Sequence, residues 1–382
     1  MRLYTWIYTA YFKSVILMLT NNHYFCVILA GGRGKRMWPC SRWNFPKQFI
    51  DFFGTGRTQL QQTFDRFAQV IPIENIFVTI NDEFAPIAME QLPELPADHF
   101  LGEPINRNTA PSVTWACYHI LGICPDANVI ITPSDQAIIN DDAFKHDVTE
   151  ALDFVNNHEG IIAMGVRPSR PEPGYGYVQM GDHCQCGEDN LFTVKSFSEK
   201  PERDFARMFM DSGEFLWNTG IFVSNVKYMI THFKQVMPMV FRQIETDGKA
   251  GSLEEETNAV WEYFPLFPNL SIDYGILEND DDAYVMLCSF GWADMGTWHS
   301  IYEAEQKCEG DNVVLDSEVI MEDCKDNIIK LPKGRLGVFN GLHGFIIAEK
   351  DNVLMICPKG DSSAPVRKFV NEVQMRLGDE FI

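Results

Sequence analysis

Positive charge is scarce in this chain. Its 382 residues carry 31 Lys and Arg against 53 Asp and Glu, a formal net charge of -22 at pH 7. Nucleic acid and anionic membrane both require a basic surface, so this balance argues against both as partners. A small phosphorylated molecule stays possible, because a few cations focused in a cleft hold phosphate while the remaining surface is acidic. A cysteine framework is missing as well. The ten cysteines are scattered, and Cys184-Gln-Cys186 is the one close pair, with no second pair at zinc-site spacing. Reduced thiols in a cytoplasmic protein are the expectation. The nine histidines show no His-Glu-x-x-His spacing, and no Ser/His/Asp or Cys/His arrangement stands out. Long apolar runs are also lacking. Tyr4 to Leu19 is apolar, aromatic and faintly signal-like, but too short and broken to span a bilayer. Residues 1–24 are therefore read as an N-terminal extension, with Met18 as a second possible start.

What is present is an α/β alternation. Phe25–Ala30 is an uninterrupted apolar run ending in glycines, the pattern of a strand buried on both faces of a parallel sheet. Further strands are expected at Ile76–Ile80, His99–Gly102, Asn128–Thr132 and Ile161–Val166. Helices are expected at Thr58–Gln69, Phe84–Leu92, Ala110–Leu121 and Ala143–Asn156. This order implies a doubly wound, Rossmann-like sheet, with ligands beyond the carboxyl ends of its strands. From Gly174 the pattern is more mixed, with strand candidates Tyr177–Met180, Leu191–Ser198, Gly220–Ser224 and Ala283–Cys288. After about Glu309 short strands separated by Gly, Asn and Asp suggest a small all-β unit, with no strict repeat and a closing helix at Ser363–Arg376. The expected division is an extension over 1–24, a catalytic domain over 25–308 and a β-rich domain over 309–382.

The loop Gly31-Gly-Arg-Gly-Lys-Arg36 follows the first strand directly. It lacks the Walker A ending, and Met37 stands where a dinucleotide fingerprint needs its third glycine. A glycine turn carrying Arg33, Lys35 and Arg36, with Arg42 and Lys47 close behind, suits phosphate. The glycines let backbone N–H groups approach an anion, and the cations neutralise it. A merely structural turn is the alternative. Asp135, at the end of Asn128–Thr132, would alone read as an N-cap or Asx turn. Asn108 and Thr109 would alone read as helix caps.

Leu29-Ala-Gly-Gly-Arg-Gly-Lys-Arg-Met-Trp-Pro-Cys-Ser-Arg42 and Phe45-Pro-Lys-Gln-Phe49 closely resemble the signature loop of nucleoside-diphosphate-sugar pyrophosphorylases, specifically the mannose-1-phosphate guanylyltransferases. The resemblance continues through Glu103-Pro-x-x-Arg-Asn-Thr-Ala-Pro111, Pro133-Ser-Asp135, Arg170-Pro-Glu-Pro-Gly-Tyr-Gly-Tyr177 and Phe197-x-Glu-Lys-Pro201. It then takes in Trp217-Asn-Thr-Gly-Ile-Phe222, Ser271-Ile-Asp-Tyr274 and Gly291-Trp-Ala-Asp-Met-Gly-Thr-Trp298. It implies transfer of GMP from GTP to mannose 1-phosphate with Mg²⁺, giving GDP-mannose and pyrophosphate. Because the attacking phosphate is already anionic, alignment and charge neutralisation suffice without a general base.

The resemblance assigns Arg36 and Lys47 to the transferring phosphoryl group and Asp135 and Asp294 to Mg²⁺. It assigns Ala30, Gly31, Gly32, Gly34, Glu103, Asn108 and Thr109 to GTP, and Gly176, Glu199, Lys200, Asn218 and Asp273 to the sugar phosphate. Glu103 has its own chemical logic. Its carboxylate accepts from both guanine N1–H and the N2 amino group, donors that adenine lacks at those positions. Gln136 departs from the family, where His commonly follows this Asp; tuned rather than lost activity is expected. Tyr175, Tyr177 and Trp217 are read as packing and pocket wall rather than stacking platforms, and Trp292 and Trp298 as structural. A homodimer is implied, with no nucleic-acid or membrane partner. No His-x-His cluster follows Gln306, so the isomerase domain of some relatives is not expected. Two alternatives remain: another hexose phosphate or nucleotide, and a non-catalytic sugar-nucleotide-binding regulatory subunit.

Overall fold

Alternate side chains of the first strand, β1 (Tyr24–Leu29), enter two different cores. Tyr24, Cys26 and Ile28 pack into one, Phe25 and Val27 into the other. Successive residues of a strand point to opposite faces, so both faces must be covered, which is why the run carries no polar residue. The computed structural model describes residues 23–185, 189–247, 249–274, 282–360 and 363–382. All of the expected N-terminal extension except His23 and Tyr24 lies outside the described residues, as does Cys186.

The chain continues through β2 (Ile76–Asn81), β3 (Phe100–Glu103), β4 (Asn128–Pro133), β5 (Gln136–Ile138), β6 (Ile161–Val166) and β7 (Gly176–His183). It goes on through β8 (Leu191–Glu199), β9 (Phe215–Asn225), β10 (Ala283–Leu287) and β11 (Trp292–Asp294). Among the described residues, nine of these strands form one sheet in the order β3-β2-β1-β4-β9-β6-β10-β8-β7. Pairings along β3-β2-β1-β4 are parallel, whereas β9 runs antiparallel to β4, β6 and β7. The sheet is therefore mixed.

Its helices are α1 (Gln59–Phe67), α2 (Ala85–Gln91), α3 (Thr109–Ile123), α4 (Asp141–Val155) and α5 (Arg203–Ser212). They continue as α6 (Val226–Val236), α7 (Pro238–Asp247), α8 (Leu253–Tyr263), α9 (Trp298–Ala304) and α10 (Ser363–Leu377). Helices α1, α2 and α4 cover one face, and α3, α6, α7 and α8 the other. At the start of α1, Thr58 and Gln61 form a capping box through Thr58 N–H to Gln61 Oε1 at 2.9 Å and Gln61 N–H to Thr58 Oγ1 at 3.3 Å. Helices α5 to α9 have no counterpart among the elements expected from sequence. In α5 only Ala206 is fully buried, whereas α6 buries Val226, Met229, Ile230 and Phe233.

Beyond α9 come β12 (Val313–Leu315), β13 (Glu318–Glu322), β14 (Ile328–Lys330), β15 (Leu336–Asn340), β16 (Phe345–Lys350) and β17 (Val353–Pro358). β12, β14 and β16 pair in parallel, β13 pairs in parallel with β15, and β16 and β17 form an antiparallel hairpin. Asparagines stitch the corners. Asn327 Nδ2 donates to Asn312 Oδ1 at 2.8 Å, and the Phe345 N–H donates to Asn327 Oδ1 at 2.9 Å.

A third core joins this unit to the loop after β1. It holds Met37, Trp38 and Phe52 from the loop region, Met295, Trp298 and Ile301, strand residues such as Ile328 and Ile346, and Val366 and Val370 of α10. Trp298 is fully buried, meets Phe52 edge-on at 6.4 Å, and donates its indole N–H to the Trp38 carbonyl at 3.1 Å. Trp298→Ala is expected to cost about 3–5 kcal/mol of unfolding free energy, as a large cavity plus an orphaned carbonyl would. Denaturant titration of the purified variant measures it.

Candidate active site

The loop that leaves β1 is tied down from inside. Gln48 donates its side-chain amide to the Ala30 carbonyl at 2.5 Å and to the Gly32 carbonyl at 3.0 Å, while Ser41 Oγ donates to the Arg33 carbonyl at 3.1 Å. Gly34 has φ 64°, and a methyl group there would lie 2.7 Å from Lys47 Cγ. Both the left-handed backbone and the close approach of Lys47 demand glycine at this point.

Lys47 is buried and forms an ion pair with Asp135. Asp135 is set beside the loop because the Ser134 N–H donates to the Leu29 carbonyl at 3.2 Å, tying the ends of β1 and β4 together. The short strands β5 and β11 pair antiparallel with Asp294 opposite Gln136, and the Met295 N–H donates to the Asp135 carbonyl at 3.1 Å. Asp135 and Asp294 thus meet although they are far apart in sequence. A methyl group on Gly296 would sit 2.8 Å from Asp294 Oδ1 and 2.9 Å from Lys47 Nζ, so these two groups crowd that glycine. Burial pushes the Asp294 carboxyl above the usual carboxylate range; Lys47 pulls it down, Asp135 pushes it up, and Arg36 also lowers it. Gln136 donates its amide to the Thr219 carbonyl, linking β5 to β9.

Glu103 closes the other end of the loop. Its carboxylate ends β3, is 3% exposed, and lies beside Gly31, where a methyl group would be 3.9 Å from Glu103 Oε2. Burial raises its pKa to about 7, opposed by a hydrogen bond with Ser112. Asn108 and Thr109 are differently employed. Asn108 caps α3, its Oδ1 accepting from the Thr109 N–H at 2.9 Å, and Thr109 Oγ1 accepts from the Ile272 N–H at 2.9 Å. Thr109 thereby fixes the segment that carries Asp273.

Of the expected sugar-side residues, Gly176, Glu199 and Asn218 lie on three neighbouring strands, Lys200 directly follows one of them, and Asp273 lies outside the sheet. Gly176 on β7 is paired with Glu199 on β8 and with Asn218 on β9. A side chain at Gly176 would meet Glu199 Oε2 at 2.7 Å and Asn218 Cβ at 3.3 Å. Asn218 Nδ2 donates to Asp273 Oδ1 at 2.8 Å, and Lys200 forms an ion pair with Glu199. A cavity of about 600 Å³ is lined by Lys200, Arg36 and Asp294, together with Glu172, Tyr175 and His299. Tyr175, Tyr177, Trp217 and Trp292 are buried, with Tyr175 edge-on to both Trp217 and Trp292 at 5.1 Å, so they build the wall rather than offer open faces.

Not every cation of the loop faces this cleft. Arg33 pairs with Glu83 and lies 4.0 Å over the Trp43 ring, and Arg42 is buried on the carbonyls of Phe381 and Lys350. The set facing the cleft is narrower than the run of basic residues suggests. Gln48 and Gly296 are the site residues that sequence reasoning passed over. Both lie within the motifs, but their roles depend on contacts invisible in one dimension. Gly34→Ala is expected to cost about 1–3 kcal/mol, because it adds left-handed strain to a clash. Gly296→Ala meets only the tips of two flexible side chains and should leave the urea midpoint nearly unchanged. Comparing the two midpoints checks this.

Residues 25–310 match the nucleotidyl transferase family. The mannose-1-phosphate guanylyltransferase of Salmonella muenchen is 30% identical over 361 residues, covering 93% of this chain and 74% of the relative. That of Klebsiella pneumoniae is 29% identical over 360 residues, covering 93% and 75%. Among solved structures, a Thermus thermophilus protein described as a mannose-1-phosphate geranyltransferase superposes with a TM-score of 0.80. It is 27% identical, with 92% of this chain and 99% of that one covered. With the motif residues assembled at the ends of β1, β3 and β4, the chain belongs to the nucleotidyl transferase family, as a relative of the bacterial mannose-1-phosphate guanylyltransferases.

Proposed function

We propose that this nucleotidyltransferase transfers GMP from GTP to α-D-mannose 1-phosphate, releasing pyrophosphate. The observation that carries the reading is the buried Glu103 beside Gly31, at one end of a loop whose other end meets Lys47, Asp135 and Asp294. A buried carboxylate without a cation suits a base edge that offers two donors, as guanine does. The relatives named above act on the same sugar phosphate by name.

Guanine sits against Glu103 and the triphosphate follows the loop amides from Ala30 to Gly34. A phosphate oxygen of the sugar phosphate attacks the α-phosphorus, and the bond to the pyrophosphate oxygen breaks. Lys47 and Arg36 neutralise charge on the transferring group. Gly176, Glu199, Asn218 and Asp273 position the sugar, and Lys200 its phosphate. Asn108 and Thr109 serve the nucleotide by shaping its end of the cleft. Asp135 and Asp294 offer hard carboxylate oxygens side by side, with burial and mutual repulsion disfavouring their joint charge; this donor set fits Mg²⁺. When bound, the ion supplies charge neutralisation on phosphate oxygens.

The finer architecture belongs to the same proposal: a catalytic domain over 25–308 and a β-helix-like unit over 309–382. That unit exposes Ile320, Leu336, Val338, Leu354 and Ile356, which supports a homodimer. No helix among the described residues is long and apolar enough to cross a membrane. We place the enzyme in the cytoplasm, where GTP is supplied.

The decisive assay follows pyrophosphate release with GTP, ATP, UTP or dTTP against mannose 1-phosphate and glucose 1-phosphate. Turnover is expected with GTP and mannose 1-phosphate, and its absence refutes the reading. Asp294→Asn is expected to lower kcat at least about a hundredfold at saturating Mg²⁺; near-normal rates would remove it from the metal site. Glu103 binds guanine as the carboxylate, so the KM for GTP should rise by about tenfold per pH unit below pH 7. In Glu103→Gln that dependence and the discrimination against ATP should both disappear. The stability effect has the opposite sense. A raised carboxyl pKa favours folding below the ordinary value and loses that contribution as pH rises through about 7. The ligand-free Gln variant should therefore gain on the wild type between pH 5 and 8, read as the difference in melting temperature.

A further inference from the structure

Five cations line the cavity beside Asp294; Lys359 is paired with Asp326, and two of the others come from outside the motifs: Arg203 at the start of α5 and Arg367 on α10. They join Arg36 of the loop and Lys200 of the sugar side. We propose that Arg367 and Arg203 are phosphate-binding residues that complete this bay, so that a helix from the C-terminal unit contributes to the reaction site. The group they hold is a terminal phosphate, either the monoester of the sugar substrate or the departing pyrophosphate. This inference rests on the proposed reaction.

The pairing of charges separates these arginines from others. Arg33, Arg57, Arg170, Arg335 and Arg376 each face a carboxylate. Among the described residues Arg36, Arg203 and Arg367 have neither an ion pair nor a side-chain hydrogen bond. In a chain with 53 acidic residues, partners are abundant, so three unpaired guanidinium groups around one cavity need another anion. Lys200 senses the same concentration of charge. Burial lowers its pKa, Asp273 and Asp294 raise it, and Arg36 and Arg367 lower it further, so both arginines act within Coulombic reach of the Lys200 ammonium.

The helix that presents Arg367 is held rigidly. Its neighbour Val366 is fully buried and Val370 nearly so, in the core that contains Met37 and Trp38 of the phosphate loop. Arg36 and Arg367 are therefore carried on opposite sides of one packed contact, and neither can move far without the other. A guanidinium fork matches phosphate oxygens bidentately, and several forks around one cavity favour a small multivalent anion over a single carboxylate.

The test uses the full-length chain as Arg367→Gln, Arg203→Gln and, as control, Arg376→Gln, whose arginine on the same helix pairs with Glu372. Forward rates are measured against mannose 1-phosphate and reverse rates against pyrophosphate. The KM for one of them is expected to rise by about tenfold in Arg367→Gln and Arg203→Gln, with a shallower salt dependence, while the KM for GTP and the melting temperature stay near wild type. A rise confined to mannose 1-phosphate names the monoester as the occupant, and one confined to pyrophosphate names the leaving group. Values for both within twofold of the control overturn the proposal, as does a fall in melting temperature with unchanged KM. A separate arm needs no assumption about nucleotide or sugar. Inorganic pyrophosphate should raise the melting temperature of the wild type, and less so that of Arg367→Gln. If this arm succeeds without turnover on GTP and mannose 1-phosphate, the substrate reading fails and the bay stands; if pyrophosphate stabilises both proteins equally, the bay fails.

Discussion

A loop that must let phosphate approach its backbone cannot be buried by regular secondary structure of its own. The molecule resolves this by burying two side chains of the loop and leaving its amides at the edge. Met37 and Trp38 enter the third core, where Trp298, Phe52, Val366 and Val370 enclose them. Gln48 and Ser41 then accommodate three of the loop carbonyls. The conformation between Gly31 and Arg36 is thus specified by what lies on either side of it. This is a preorganised arrangement, in which the ordering cost is met during folding rather than at each binding event.

The strands that deliver the site were the easiest part to read from sequence, for a physical reason. β1, β4 and β6 are covered on both faces, so their sequences are uninterrupted apolar runs, and the motif residues follow at their ends. Among the helices between Arg203 and Ala304, α5 left little trace in the sequence because it fully buries only Ala206, whereas α6 buries Val226, Met229, Ile230 and Phe233 at ordinary helical spacing. The meeting of Asp135 with Asp294 depends on β5 and β11, two three-residue strands too short to show an alternating pattern. In the C-terminal unit the asparagine contacts recur at 15 and then 18 residues, so the register is regular in space but not in sequence. The sequence put Lys47 and Arg42 in the same basic run; the pairing of Lys47 with Asp135 and the burial of Arg42 on distant carbonyls were not legible, since nothing local distinguishes the two cations.

Electrostatics explains why so few basic residues suffice. The acidic surface repels polyanions, while Arg36, Arg203 and Arg367, which face the cavity, have no ion pair among the described residues. Lys47 is held by Asp135, Lys200 by Glu199, and Asp294 is kept from easy ionisation by burial and its neighbour. The two ion pairs leave little net charge at their positions, and the unrelieved charge of the cleft lies with Asp294 and with the arginines that have no partner among the described residues.

The attachment of the loop to residues near the far end of the chain has a consequence for biosynthesis. Arg42 and Trp38 both donate to the carbonyl of Phe381, at sequence separations of 339 and 343. While a ribosome is still making the chain, the sheet around β1 has the strands and helices it needs long before this anchor exists. On a nascent chain the loop therefore lacks its Phe381 anchor, while the contacts from Gln48 and Ser41 lie within the same segment and are available early. The full anchoring of the loop waits until Phe381 has emerged and docked.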